Sequence, residues 1–413
     1  MFSALGVRNY RLYFGGQVLS NTGAWMQRLA QDWLVLDLSG SSSMALGITV
    51  GLQFLPYLLF SLWGGTIADR IPRRRLLTIT QTVMALISLV VGVLALRGDA
   101  TVALVYVAAF SVGVASAFDN PGRQAFVNEL VGGAGVGNAI ALNSASFNLA
   151  RLVGPAIAGL LIAAIGTGWV FVLTASTFAV GILTLRLVRP GDLHPVARQQ
   201  GQVRLKDGLT YTWRHRNLVL AVLLALLVGA LGLNYQQLMA MMARNEFGLG
   251  AEAFGLMSTA LAFGALLGSL TAARRRRVSL TLVGTAALVF GTIELINGLA
   301  PTYVWMLVIL PFAGFGAMTF ITAVQTYLQS NAEDWVRGRV MGIFTLVFYG
   351  ANVFSAPAIG WVGETWGARW AMIACAVTTL LTSSLAIAWY AWRGRRRGAT
   401  ARERAAAEVV AGA

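Results

Sequence analysis

Between residues 10 and 392 the chain is a succession of apolar runs, separated by short polar stretches crowded with arginine. Twelve such runs fall at about 10–36, 44–68, 75–96, 101–120, 138–164, 168–188, 217–243, 252–273, 279–299, 302–328, 338–363 and 367–392. At about 1.5 Å per residue of helix, each is long enough to cross a hydrocarbon layer about 30 Å thick. That layer offers the backbone no water, so a segment inside it must satisfy its own hydrogen bonds, as a helix does. Composition leaves no room for a soluble globule. Of the 413 residues 57% are hydrophobic and 11% charged, where soluble domains carry about 25% charge. The expected fold is an all-α membrane protein with twelve transmembrane helices.

A net charge of +15 invites a nucleic-acid reading, but the basic residues sit in loops between apolar runs and build no single basic face. With the N-terminus in the cytoplasm, most of the 31 Lys and Arg lie in cytoplasmic segments. Outer loops then hold Arg97, Arg244 and Arg369, while Arg28 and Arg151 fall inside the membrane. This is the positive-inside pattern. It predicts a multi-pass protein of the cell (inner) membrane with both termini in the cytoplasm and no nucleic-acid partner. Met1 to Tyr10 lacks the layout of a signal peptide, and the first apolar run is too long for one.

Enzyme chemistry finds little to work with. His194 and His215 are the only histidines, without metal-ligand spacing, and Cys375 is the only cysteine, so neither a metal site nor an internal disulfide is expected. No phosphate-binding Gly-Lys-Ser/Thr loop appears, so ATP is not expected as the energy source. Neither catalytic residues nor a cofactor is predicted.

The longest interruption, Arg189 to Arg216, is basic and contains Pro190 and Pro195. It divides the chain into a first six-helix unit (1–188), a cytoplasmic central loop (189–216), a second six-helix unit (217–392) and a basic, then Ala-rich tail (393–413). Each half repeats one layout. The second segment runs into Gly64-Gly65-Thr66-Ile67-Ala68-Asp69-Arg70-Ile71-Pro72-Arg73-Arg74-Arg75, and the eighth contains Gly264 and Gly268 before Arg274 to Arg277, without the acid. Two pseudo-symmetric six-helix bundles follow, with a binding site near mid-membrane between them. Arg274 to Arg277 read equally as topology anchors.

The pattern G-x-x-A-D-R-x-x-R-R-R resembles the loop between helices 2 and 3 of major facilitator superfamily transporters, departing from it at Pro72. Phe118 to Phe126 with Glu129, Asn143 to Pro155 with Gly159, and Trp335 to Gly342 resemble the drug and siderophore exporter branch, close to enterobactin and macrolide exporters. The likeness spans residues 8–392. It implies that Asp69 faces the start of the eleventh helix near Gly338 while the cytoplasmic side is closed. Gly65 and Gly338 then permit close approach, with Arg70, Arg73, Arg74 and Arg339 around them. It also associates a Gly154-Pro155 kink in the fifth helix, with Gly159, with antiporters, and makes monomer the default. A simple packing kink explains the same residues.

Charges within the membrane cost about 2.5–3.5 kcal/mol on insertion scales, so they face cavities or partners. On the first segment Gln17, Asn21, Arg28 and Asp32 share a face, and Arg28 and Asp32, four apart, are placed to pair. Asp32 is either a protonation site released from Arg28 or one half of a permanent salt bridge. Glu294 is a second proton-coupling candidate, expected near the outer water, and Asp119 is expected to order an Asn120-Pro121 turn. Arg151 either neutralises an acidic substrate or pairs with a neighbouring carboxylate. Asn143, Asn148, Asn234, Gln237, Gln325 and Asn352 are candidate cavity groups, though hydrogen bonding between helices explains each equally well. Trp25, Phe54, Phe344 and Phe348 line an apolar cavity or pack. Trp33, Trp63, Trp169, Trp366, Trp389 and Trp392 read as bilayer anchors.

The expectation is a secondary transporter, partnered by a small-molecule substrate, protons and the lipid bilayer, that exports a small amphipathic molecule by proton antiport. Uptake, a channel, and a transport-inactive sensor or scaffold are the alternatives.

Overall fold

The computed structural model describes residues 3–194, 205–272, 275 and 278–411; for 61–70, 134, 205, 206, 391 and 393–411 it describes the backbone alone. Every regular element among these residues is helical. In the first half these are α1 (Arg8–Leu38), α2 (Ser43–Arg70), α3 (Arg73–Arg97), α4 (Val102–Ile165) and α5 (Thr167–Leu187). A short helix, α6 (Leu205–Arg214), leads into the second half. There follow α7 (Arg216–Leu227), α8 (Tyr235–Met241), α9 (Ala251–Ala272), α10 (Leu280–Gly298), α11 (Tyr303–Asn331), α12 (Asp334–Gly350), α13 (Asn352–Trp366) and α14 (Ala368–Ala411).

These elements make twelve membrane crossings. The run α4 is two of them, broken at Gly132, whose φ of 66° lies in the left-handed region that glycine tolerates. A π-helical turn at Val228–Gly232 joins α7 to α8, and Ala351 alone joins α12 to α13. Among the described residues eleven stretches are long and apolar enough to cross a membrane. The twelfth crossing, α1, has the length but carries buried Gln17, Ser20, Gln27, Gln31 and Asp32. It tolerates them because α4 and α5 pack along it and shield that polar stripe from lipid. Hydroxyl caps set several helix starts: Ser42 accepts from the Ala45 amide at 3.1 Å, and Thr101 and Thr302 act alike at Leu104 and Trp305.

The crossings form two bundles. In the first, α1 packs on α4 and α5, α2 on α4, and α3 on α4 and α5; in the second, α9 packs on α11, and α10 on α11 and α14. Between the bundles α2 meets α13, and the second arm of α4 meets α9. Both meetings occur away from the arginine-rich end, which is the end holding Arg73 to Arg75. There Arg244 of the second bundle pairs with Asp37 at 3.0 Å, and Asn245 donates to the Ser41 carbonyl and the Ser43 hydroxyl, both at 3.0 Å. Trp33 stacks on Phe254 with Arg244 over its ring. Trp33 is therefore buried in the bundle interface and does not anchor to lipid, whereas Trp169, Trp366, Trp389 and Trp392 are exposed.

Toward the arginine-rich end, α12 presents Gly338 and Gly342, both exposed, with open space beside them among the described residues. The bundles thus meet closely at the end away from the arginines, α2 and α12 also approach midway, where Leu58 lies against Gly350, and Gly338 and Gly342 are exposed toward the arginine-rich end.

Several expectations change. The chain stays helical through Asn120 and Pro121, so no turn forms there. Asp119 is buried, accepting from Thr80 at 2.7 Å and pairing with Arg123. Arg123 consequently lies inside the bundle and not in a loop. Glu294, expected near water, is 0% exposed.

Candidate functional site

Helix α1 brings the central residues together. Its face carries Gln17, Asn21, Trp25 and Arg28 in successive turns. Asn21 accepts from Gln17 at 3.1 Å and from Arg123 at 3.4 Å, and donates to Ser146 at 3.3 Å. One turn on, α1 lies so close to α4 that a methyl group built on Gly154 would sit 2.8 Å from Trp25 Cβ. The Gly154-Pro155 element therefore does more than bend a helix: it lets the Trp25 side chain pass and meet Phe147 edge-on at 5.8 Å.

Two guanidiniums converge on that indole. Arg28 lies 5.6 Å and Arg151 5.8 Å from the Trp25 ring centre, within the range of cation–π attraction. Arg28 also lies 5.4 Å from the Phe54 ring. Phe54 stacks on Tyr349 at 6.0 Å, as does Tyr57 at 5.8 Å, so the aromatic group continues from α2 to α12 across the two bundles.

Arg28 does not pair with Asp32. It turns instead to the Gln53 carbonyl at 3.3 Å. Asp32 is 1% exposed, with Oδ1 lacking any hydrogen-bond partner, and the Arg28 charge acts on it only at a distance. Arg151 likewise has no carboxylate partner among the described residues; its charged neighbour is Arg28.

In the second bundle Glu294 sits against the π-helical turn, beside Gly232, and accepts from Thr379 at 3.4 Å while Oε1 has no partner. Asn297, one turn along, donates to Tyr235 at 3.3 Å. Asn234 donates to the Ala230 carbonyl and to Ser355, and Gln237 donates to the Ala356 carbonyl at 2.9 Å. Asn148 donates to the Ser144 carbonyl of its own helix, and Asn352, at the start of α13, to the Phe348 carbonyl of α12. Asn143 keeps a buried oxygen without a partner, and Gln325 is half-buried on α11.

At the arginine-rich end only Ile71 and Pro72 separate α2 from α3. Arg73 binds Glu129 at 2.5 Å, and Arg74 donates to the Leu185 and Arg186 carbonyls at 2.7 and 2.9 Å. Both thus brace the first bundle. Arg339 packs against Gly208 of α6. The side chains of Asp69 and Arg70, and any packing at Gly65, lie outside the described residues, as do most of Arg274 to Arg277.

Several contributors were not singled out from sequence: Gln53, Tyr57, Arg123 and Tyr349. The spacing Gly47-x-x-x-Gly51 was the available signal for the α2–α13 meeting, since small residues at that interval let helices approach.

Two six-helix bundles around a central polar and aromatic site, sealed at one end, define a major facilitator transporter. A family described as "Transmembrane secretion effector" matches residues 1–408, and the chain belongs to it. It is 26% identical over 342 residues to the "Staphyloferrin A transporter" of Staphylococcus aureus, covering 81% of this chain and 85% of that protein. It is 29% identical over 379 residues to the "Multidrug efflux pump Tap" of Mycolicibacterium fortuitum, covering 87% and 90%. Among solved structures, a bacterial homologue of the human lysosomal transporter Spinster, inward-facing and unoccupied, superposes with a TM-score of 0.73 at 15% identity, covering 92% of this chain and 96% of that one. The nucleoside transporter NupG gives 0.73 at 13% identity, covering 91% and 99%.

Proposed function

We propose that this transporter exports a small amphipathic molecule by proton antiport, alternating access between the two faces of the cell membrane. The observation that carries the reading is the asymmetry of the bundle interface: one end is sealed by Arg244, Asp37, Asn245 and Ser41, while the other leaves Gly338 exposed. A site sealed on one side and reachable from the other is one of the two states alternation requires. The arginine-rich end is the cytoplasmic one by the positive-inside rule, so this state loads from the cytoplasm, with both termini on that side. The efflux pump among its relatives supports the direction.

The two bundles act as the moving units, 1–188 and 217–392, joined by the central loop 189–216. The protein works as a monomer. Asp32 and Glu294 are the proton carriers in contention. Each is a buried carboxyl without a cation partner among the described residues, so each can change charge without breaking an ion pair. Asp69 serves as the gate at the arginine-rich end.

The test is accumulation in inside-out vesicles with an acid interior, using a lipophilic cation, a macrolide and a catechol siderophore. Accumulation that collapses when the proton gradient is dissipated supports export. Accumulation only in right-side-out vesicles, or indifference to the gradient, overturns it.

A further inference from the structure

The central site holds more positive charge than its surroundings neutralise. Arg28 and Arg151 lie near one another and near one indole. Among the described residues Arg151 makes no ion pair, and Arg28 has only the neutral side-chain amide of Gln53. The other charged groups nearby do not settle the balance. Asp119 is spent on Arg123, and Asp32 is enclosed one turn beyond Arg28 without bonding it. A single carboxylate thus faces two guanidiniums.

Arg28 and Arg151 are both half-buried, and charges placed inside a membrane face a cavity and take a partner there. Where two cations share a membrane site and the protein supplies too little countercharge, the missing anion comes from outside. We propose that Arg28 and Arg151 form the binding site for an anionic group of the transported molecule, a carboxylate or a group of similar charge. A flat apolar portion of that molecule packs on Trp25, Phe54 and Tyr349. Planar guanidiniums suit such oxygens, which accept two parallel N–H bonds. The stacked Phe54 and Tyr349 rings supply the apolar surface. Because Tyr349 belongs to α12 and the arginines to the first bundle, an occupant touches both bundles and is placed to sense their relative movement.

The inference rests on the transporter reading but not on the direction of transport or on protons. It is therefore tested by equilibrium binding to the full chain in lipid nanodiscs without a gradient. The probes share one ring system: naphthalene-2-carboxylate, naphthalene-2-carboxamide and 2-naphthylmethylammonium, titrated calorimetrically with empty nanodiscs subtracted. The carboxylate is expected to bind at least about tenfold more tightly than the amide, and the cation more weakly than either.

Arg28→Gln and Arg151→Gln should each bring the carboxylate-to-amide ratio close to one, while Arg151→Lys keeps part of the preference. That rescue separates a lost charge from a misfolded chain. Failure of all three probes to bind the parent, preference for the cation, or a carboxylate preference that survives in the Arg28→Gln/Arg151→Gln double variant overturns the anion site. A parent that binds the carboxylate yet moves no compound in vesicles overturns only the exporter reading. Export of cations by a protein indifferent to the carboxylate overturns only the anion site.

Discussion

Gly159 and Gly255 face each other across the two bundles so closely that a methyl group built on either would lie 3.1 Å from the Cα of the other. Gly47 and Gly360 do the same, also at 3.1 Å. The first pair joins the second arm of α4 to α9, the second joins α2 to α13. These crossings exchange under the pseudo-symmetry that relates the fifth crossing to the eleventh and the second to the eighth. The sealed end is therefore held by two equivalent backbone contacts, and any side chain there must push the bundles apart. Gly255→Val is expected to cost the sealed state about 1–3 kcal/mol, or roughly 5- to 150-fold in population. Modification of a cysteine introduced at Ala251, 3% exposed at that crossing, should speed up accordingly. An unchanged rate would show that these crossings do not set the conformational balance.

Glu364 of α13 caps the first turn of α2 from the opposite bundle. One carboxylate oxygen accepts from the Ser43 amide at 2.7 Å, the Ser42 hydroxyl at 3.2 Å and the Met44 amide at 3.3 Å. A carboxylate at a helix N-terminus gains from the unpaired amides and their partial positive charge, by about 0.3–2 kcal/mol. Glu364→Ala should shift the protein toward the state open at that end by about 2- to 30-fold, read by the same cysteine modification. Glu364→Asp, with a shorter reach, should fall between. Equal rates in all three would assign Glu364 no part in closure.

Hydropathy made the crossings legible because lipid and backbone impose one requirement on every span. The side of each helix was not legible, for a physical reason. Lipid tails and neighbouring helices are both apolar, so periodicity does not separate a residue facing one from a residue facing the other. Trp33 and Trp169 look alike in sequence, yet one is 4% exposed and the other 49%. Charge placement failed differently. The i, i+4 spacing of Arg28 and Asp32 permitted a pair, but Gln53 and Phe54 of α2, with Trp25 of its own helix, claimed the guanidinium. Arg123 looked like a loop residue because Pro121 looked like a stop. In a bundle whose neighbours hold the helix in place, proline only interrupts one bond.

Asp119 and Arg123 are a buried pair one turn apart, with side-chain exposures of 4% and 12%. Removing one partner leaves the other charged and enclosed, at a cost of about 3–5 kcal/mol. Asp119→Asn should therefore lower the thermal stability of the detergent-solubilised protein clearly. The double change Asp119→Leu/Arg123→Met should restore most of the loss, since an apolar pair of similar volume replaces a buried ion pair at little cost. A single variant as stable as the parent would mean that the pair is not enclosed in solution.

Asp69 lies in the last turn of α2 at the arginine-rich end, and only Ile71 and Pro72 follow Arg70 before α3 begins. Closure on that side would bring the last turn of α2 to the first turn of α12, where the exposed Gly338 leaves room. Asp69→Asn is expected to reduce transport while leaving membrane insertion unchanged, and Gly338→Leu to do the same by blocking approach. Transport at the parental rate in both would remove the gate from that place.

Asp32 and Glu294 occupy different bundles, so their substitution separates two routes for the proton. Asp32 lies one turn beyond the arginine site and would couple directly to its occupant. Glu294, wedged against the π-helical turn between Val228 and Gly232, would instead couple through the shape of the helix that contains it. π-helical turns often mark functional positions. If Asp32 carries the proton, Asp32→Asn abolishes substrate-driven proton flux in proteoliposomes, while Glu294→Gln, which keeps the Thr379 contact, leaves it near the parental value. The reverse result assigns the proton to the second bundle. Flux retained in both variants would show that neither carboxyl is required and that the coupling group lies elsewhere.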